Sequence, residues 1–178
     1  MNISIDTIYK FHSVRTACHI ATVNYFAELL GYHFPEHDGD KNTEPMRTGY
    51  AYTNYAKYHP EYNLPENYTE LFHIAHKTHH EHATHHVQFY GGDVSKIPDV
   101  HVIEMVCDWC AANFEQVYIV HNIEYNTVDE WFNAKMGNLN WTDAQRGIIH
   151  SALDTIARNR DNQKIIKIWA PVLEIAEL

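Results

Sequence analysis

Histidines crowd one short segment of this chain. The sequence has 15 histidines against 13 lysines and arginines, and seven of the histidines lie between His73 and His86. Histidine is not a strong helix former, so a fold gains little stability from gathering imidazoles on one stretch. Imidazole is, however, the commonest metal ligand in proteins. The segment therefore predicts local structure built around a metal site, with at least two of the seven histidines as ligands.

The composition restricts the class of protein. With 178 residues, 45% apolar and 20% charged, the chain fits one globular domain, and we expect residues 1–178 to form it. A formal net charge of −10 disfavours polymeric nucleic acid as a partner but allows a small phosphorylated substrate held through bound cations. No apolar run approaches ~20 residues and no secretory signal opens the chain, so we expect no membrane partner. Three cysteines fit a reducing compartment, and the expected location is cytoplasmic.

The apolar pattern is predominantly helical. Apolar residues recur at spacings of three and four from about residue 7 to residue 30, just before Gly31, which predicts a first helix. We expect a short helix in the tyrosine-rich stretch 49–68, and a longer one from about 65–66 through the histidines toward 91–92. Further helices are predicted after Pro98, over about 128–135, from Thr142 with a Gln145 capping box, and over about 163–178. The fold class predicted is all-α, a single compact helical bundle of about six to seven helices.

Three other places in the chain carry groups that bind metals. His37 and Asp38 are adjacent, and Gly39 permits a backbone turn that lets both reach one ion. Glu104 and Asp108 are four residues apart on a predicted helix and share one face, flanked by core residues, so they must be paired or metal-bound. His19 is a lone histidine among apolar residues, where a packing role is the simpler interpretation.

The spacing inside the crowded segment selects among its histidines. On one continuous helix, His79, His82 and His86 would share a face through steps of three and four. His85 would join that face only if the helix breaks near residues 83–84. The remaining imidazoles, such as His80, are expected mostly to face water.

Taken in chain order, these residues resemble the HD-domain superfamily of metal-dependent phosphohydrolases, whose pattern is H … HD … H … H … D on a helical bundle. The order is similar to the dinuclear branch that includes cyclic-dinucleotide phosphodiesterases of the HD-GYP type, and Lys41 stands where that branch often has the lysine of HD-x-x-K. A narrower likeness, to a small uncharacterised bacterial and phage family, runs from Ala75-x-x-x-His79-His80 to Glu104-Met105-x-x-Asp108-Trp109. The chain departs from that family at Asp40, His76 and Ala83, where the family has Ser, Trp and Asn.

The resemblance implies one or two divalent transition metals, Fe, Mn or Zn, with Mg as a further option. One metal would be held by His19, His37, Asp38 and Asp108. Asp38 would bridge to a second, held by His79 together with His85 or His86. Glu104 would orient a ligand histidine, and Lys41 would contact a phosphate oxygen, so the catalytic residues expected are Lys41, Asp38 and Glu104.

The expected function is that of a metal-dependent phosphohydrolase or phosphodiesterase. Its substrate would be a nucleotide or another small phosphorylated molecule, attacked by a metal-activated water. Two alternatives stay open: an HD-fold diiron oxygenase, and a non-catalytic, metal-bound nucleotide-binding protein. The oligomeric state, a homo-oligomer included, is open as well. The histidines without a place in this pattern are expected to serve as surface or packing residues: His12, His33, His59, His101, His121 and His150.

Overall fold

The computed structural model describes residues 3–176, and these residues form seven α-helices and no strand. The predicted all-α class and number of helices are confirmed. Within these residues, no helix is both long enough and apolar enough to pass through a lipid bilayer. The helices are α1 Ile5–Leu29, α2 Met46–Tyr58, α3 Tyr68–His82, α4 Asp99–Phe114, α5 Val128–Lys135, α6 Asp143–Asn159 and α7 Asn162–Ala176.

Helices α1 and α4 are the centre of the bundle. Helix α1 packs on α2, α4 and α7, and α4 also packs on α6. Fully buried residues such as Phe26 of α1, Val102 of α4 and Trp169 of α7 fill the space between them. Burial of large apolar side chains is the main source of stability in such a core. The two central helices are thereby fixed side by side, so that polar groups on their facing sides can meet.

Capping groups set the helix boundaries where the sequence predicts them. The Thr142 hydroxyl accepts a hydrogen bond from the Gln145 backbone, and the Gln145 side chain accepts from the Thr142 backbone, so the predicted capping box of α6 is present. The Gln145 amide also donates to the carbonyl groups of Val94 and Ile97, both at 2.9 Å. Helix α6 therefore anchors the segment that leads into α4. Residues 177 and 178 of the last predicted helix lie outside the described residues.

The predicted helix through the histidines is too long. Helix α3 begins at Tyr68 and ends at His82, because Ala83 takes extended backbone with φ −90° and ψ 122°. The chain then turns, and the imidazole of His86 lies 4.8 Å from that of His79, centroid to centroid. The break that His85 needs in order to join the face of His79 is present.

Helix α4 continues into a wider π-helical turn over Glu115–Val120, which ends at His121 with φ 58°. Glu115 is fully buried there, and its carboxylate pairs with Arg15 of α1. Tyr58 donates to the same carboxylate at 2.8 Å, and the Lys57 ammonium lies 3.1 Å from it. This buried ion cluster ties the end of α4 to α1 and α2.

Candidate metal centre

Four separate segments of the chain bring imidazole and carboxylate groups to one buried region. Each of the predicted ligands lies there. Helix α1 contributes His19, the turn after α1 contributes His37 and Asp38, the end of α3 and the turn that follows contribute His79, His85 and His86, and α4 contributes Glu104 and Asp108.

Asp38 lies at the middle of the region. Its Oδ2 atom is 3.4 Å from Nε2 of His19 and 3.7 Å from Nε2 of His37. Its Oδ1 atom is 3.1 Å from Nε2 of His79 and 3.5 Å from Nε2 of His85. The two carboxylate oxygens therefore face two different pairs of imidazoles, which is the arrangement that a bridging ligand requires.

The backbone at Asp38 is unusual for a residue with a side chain. Its φ of 56° and ψ of 13° place it in the left-handed region, where few residues other than glycine are found. Gly39 follows and begins a single 3₁₀ turn over Gly39–Asn42. The chain turns at the His37-Asp38 pair as predicted, but the left-handed residue is Asp38 and not Gly39.

Asp108 completes the first group of donors. Its Oδ1 atom lies 3.0 Å from Nε2 of His19 and 3.8 Å from Nε2 of His37. Two ligands that each lie ~2.1 Å from one ion at octahedral or tetrahedral angles are separated by about 3.0–3.5 Å. The contacts of His19, His37, Asp38 and Asp108 are therefore close to the spacing of a coordination sphere.

His79, His85 and His86 form the second group, with one ring nitrogen from each within 4.8 Å of the others. Nε2 of His86 lies 3.0 Å from Nε2 of His79. Of the adjacent residues His85 and His86, His85 is the one that faces Asp38. Nδ1 of His79 donates to Asp40 at 2.8 Å, which orients its Nε2 toward Asp38. Sequence reasoning missed Asp40, although its place directly after Gly39 is a signal that could have found it.

Glu104 occupies the position predicted for a group that orients a ligand histidine. Its Oε1 atom accepts from Nδ1 of His37 at 3.0 Å and lies 3.5 Å from Nδ1 of His85. Its Oε2 atom lies 3.1 Å from Nδ1 of His101. His101 was expected to be a surface or packing residue; instead it is partly buried and supports Glu104, because the two lie three residues apart on α4.

Several buried polar atoms in the cluster have no hydrogen-bond partner. They include Nε2 of His37, Oδ1 of Asp38 and Nε2 of His85. A buried polar atom without a partner costs about 1–3 kcal/mol, so such atoms are rare outside functional sites. A carboxylate oxygen, and an imidazole nitrogen that gives up its proton, each offer a lone pair to a metal ion, and all three atoms belong to the groups predicted to bind metal. The residues present therefore fit one or two divalent ions.

The cluster concentrates negative charge. Burial alone would raise the pKa of Asp38, but Lys41 and His37 beside it hold that pKa well below its usual range. Burial alone would lower the pKa of His37, but Asp38, Asp108 and Glu104 together raise it to about 10. The carboxylates are therefore ionised at neutral pH, and they favour positive charge between them.

Lys41 lies against the cluster, as the HD-x-x-K spacing predicts. Its ammonium donates to Oδ2 of Asp38 at 2.6 Å and lies 4.9 Å from the ring centre of Tyr50. Two other cations, Arg47 and Lys96, pair instead with the neighbouring carboxylates of Glu44 and Asp93.

His12 positions the turn that carries Lys41. It is fully buried, its Nε2 donates to the Lys41 carbonyl at 2.9 Å, and the Asn54 amide donates to its Nδ1 at 3.0 Å. The expectation of a surface or packing role is incomplete, because the ring also makes two specific hydrogen bonds. Its place seven residues before His19, on the same face of α1, is the signal that could have found it.

A cavity of about 410 Å³ opens onto the cluster. Its volume lies within the range of small-molecule sites. Of the described residues that line it, none is lysine or arginine, and four are acidic. The acidic residues are Glu36, Asp38, Asp40 and Glu104, and the histidines are His33, His37, His82, His85 and His101.

These features define an all-helical protein with a buried cluster of histidine and aspartate side chains that could hold metal ions. Compared with known protein families, the chain matches a family of unknown function, DUF5662, over residues 9–161. Because the match covers most of the chain, the protein belongs to this family. The matched region contains every residue of the candidate metal centre. Neither a curated protein nor a solved structure matches the chain.

Proposed function

We propose that this protein is a metal-dependent hydrolase that cleaves a phosphoester bond in a nucleotide or another small phosphorylated molecule. One observation carries the proposal: imidazole Nε2 atoms from three parts of the fold converge on the two oxygens of Asp38 at the edge of an open cavity. The likeness of the ordered residues to the HD-domain pattern supports the reaction class.

The donor set suits divalent transition metals. Imidazole and carboxylate ligands favour Fe, Mn or Zn, and the two groups around Asp38 have room for one or two ions. Bound there, such ions would supply positive charge and lower the pKa of a coordinated water toward neutrality.

The side chains around the ligands prepare the site. Glu104 accepts a hydrogen bond from Nδ1 of His37, and Asp40 accepts one from Nδ1 of His79, so Nε2 is the atom that each ring would present to a metal ion. These contacts also fix the ring orientations before a substrate arrives, which lowers the cost of organising the reactive geometry.

Lys41 is the residue that we assign to the phosphate group. Among the described residues, it is the one lysine or arginine that pairs with a carboxylate of the cluster. Its side chain is only 12% exposed, so an incoming phosphate oxygen would meet an ammonium that is already partly desolvated. Because none of the described residues that line the cavity is lysine or arginine, most of the phosphate charge would be met at the cluster.

The acidic cavity lining favours a second candidate function. Four carboxylates and no described lysine or arginine line the space, which suits an uncharged substrate better than a polyphosphate. A diiron oxygenase acting on a neutral molecule would fit this lining. Oxygen consumption by the iron-loaded protein would favour this candidate, whereas phosphate release by the manganese-loaded protein would favour the hydrolase.

The first experiment is elemental analysis of protein purified without a metal-affinity column, because the native histidines would bind such a column. We expect at least one transition metal ion per chain, and its loss in His37→Ala and Asp108→Ala. His73→Ala is the matched control, because His73 is exposed and lies outside the cluster. Unchanged metal content in His37→Ala and Asp108→Ala would refute the proposed metal ligands.

A screen of nucleotides and generic phosphoesters with Mn²⁺ and Mg²⁺ then tests the reaction. We expect phosphate release that Lys41→Ala reduces without changing metal content. Turnover that is equal in wild type and Lys41→Ala would remove Lys41 from the mechanism. Metal and nucleotide binding without any turnover would instead identify a non-catalytic binding protein.

A further inference from the structure

Three histidines form a row that reaches the candidate metal centre from outside. The rings of His76 and His80 lie 3.7 Å apart, centroid to centroid, and the rings of His80 and His86 are also 3.7 Å apart, at an interplanar angle of only 11°. His86 in turn places its Nε2 atom 3.0 Å from Nε2 of His79. We call His76, His80 and His86 the histidine row.

Helix packing does not account for the row. His76 and His80 are partly exposed, and within residues 3–176 neither forms an ion pair with a carboxylate. The hydrogen bond of His80 joins its Nδ1 atom to the Gln88 side chain at 3.2 Å, which leaves its Nε2 without a hydrogen-bond partner among the described residues. A ring nitrogen without a hydrogen-bond partner is a group that can bind a metal ion.

The spacing of the outer two residues is that of a chelating pair. His76 and His80 are four residues apart on α3, which places both rings on one face of the helix. Two histidines at this spacing on a helix are a recurrent way to bind a transition metal ion. The pair is also separate from the substrate cavity, because neither residue lines it.

We propose that His76 and His80 capture a divalent transition metal ion at the surface and pass it through His86 to the buried centre. This inference rests on the metal centre of the proposed function. The transfer exchanges one imidazole or water ligand for another and changes no oxidation state. The inner ligands themselves offer little surface to an ion in solution, because Asp38 and His37 are each only 2% exposed and His79 is fully buried.

Proximity sets the size of the effect. An ion held on the outer pair stays within a few ring spacings of the centre, which corresponds to an effective concentration of about 1 mM. At micromolar free metal, loading through the pair should therefore be at least about tenfold faster than direct loading from solution. The route also leaves the cavity free, so metal and substrate would approach from different sides.

The test follows Co²⁺ loading of chelator-stripped full-length protein by its visible absorbance in a stopped-flow instrument. In wild type we expect a loading rate that saturates with Co²⁺ concentration, because capture precedes transfer. In the double variant His76→Asn, His80→Asn we expect about tenfold slower loading, a rate linear in Co²⁺, and the same final number of ions. The control variant His73→Asn, His150→Asn removes two exposed imidazoles outside the row and should load like wild type.

The outcomes separate this inference from the proposed function. Loading at the wild-type rate in the His76, His80 variant would overturn the capture role and leave the buried centre intact. A final content lower by one ion would also overturn it, because the pair would then hold a resident ion. Wild type that binds no Co²⁺ would refute the metal centre itself, and the capture role with it. His80→Gln, which keeps a polar side chain beside Gln88, repeats the test if the double variant unfolds.

Discussion

Replacing Glu104 by glutamine should weaken metal binding without removing a ligand. The Glu104 carboxylate accepts from Nδ1 of His37 at 3.0 Å and lies 3.5 Å from Nδ1 of His85. A glutamine of the same length has one acceptor oxygen and one donor NH₂ group. Both rings contact the same oxygen, Oε1, while Oε2 contacts Nδ1 of His101 at 3.1 Å. A glutamine therefore either keeps its oxygen toward the two ligand rings as an uncharged, weaker acceptor, or turns its NH₂ group toward them.

The size of the loss follows from these contacts. Changing the group that orients a ligand histidine typically weakens metal binding by about 10–100-fold. Here one carboxylate contacts two candidate ligand rings, so we expect the upper part of this range. A hundredfold change corresponds to about 2.7 kcal/mol of binding free energy.

The assay is a competition titration of Zn²⁺ and Mn²⁺ against a chromophoric chelator at fixed pH and ionic strength. Glu36→Gln is the matched control, because it makes the same change of charge in the same cavity, and Glu36 does not contact a candidate ligand ring in the described hydrogen bonds. Circular dichroism checks that both variants are folded. Equal metal affinity in Glu104→Gln and wild type would refute the role of Glu104 in orienting the rings.

Three further predictions concern the fold that supports the site. Glu115→Ala should lower the free energy of unfolding in urea by about 3–5 kcal/mol, because it leaves Arg15 buried without its anion, and a loss below about 1 kcal/mol would contradict this account. Gly49→Ala should destabilise the protein by about 1–3 kcal/mol, because the new Cβ atom would collide with the α3 backbone. Gly147→Ala should stabilise it by up to about 1 kcal/mol, because a Cβ atom there meets open space on a helix. A change of the same sign in both variants would refute the packing argument. Because burial lowers the pKa of His12 from 6.5 to about 4, the unfolded chain binds a proton in this interval that the folded chain does not. The free energy of unfolding should therefore be about 2 kcal/mol lower at pH 5 than above pH 6.5 because of His12. His12→Gln should lack this contribution, and an unchanged pH dependence in that variant would refute the role of His12.

Local signals in the sequence predict most of the helices. The starts of α4 and α6 follow from Pro98 and from a capping box, the range of α5 follows from apolar spacing, and the structure has all of these within a residue of the prediction. The end of α3 could not be predicted in this way, because no proline or glycine marks the break after His82. The helix ends where His85 and His86 turn back to contact Asp38 and His79. Contacts of this kind join distant segments, so the local sequence contains no pattern that predicts them.

The candidate site also combines features that the sequence predicts with features that it does not. The resemblance to the HD-domain pattern implies the order of the candidate ligands along the chain, and His37-Asp38 and the Glu104–Asp108 spacing are also local patterns. The partners of those ligands could not be predicted, because Asp40 meets His79 across 39 residues and His12 meets Lys41 across 29. A hydrogen bond between distant segments depends on how helices pack, and no short spacing records it.

The four segments that supply the candidate ligands have a consequence for the lifetime of the protein. An ion at the centre would tie α1, the turn after it, the end of α3 and α4 together, across as many as 89 residues between His19 and Asp108. An ion that binds only the folded chain adds about 4 kcal/mol of stability when its concentration is a thousand times Kd. Because proteases act on opened chains, a cell short of that metal would degrade this protein faster. Its abundance would then follow the metal supply even with no change in its synthesis.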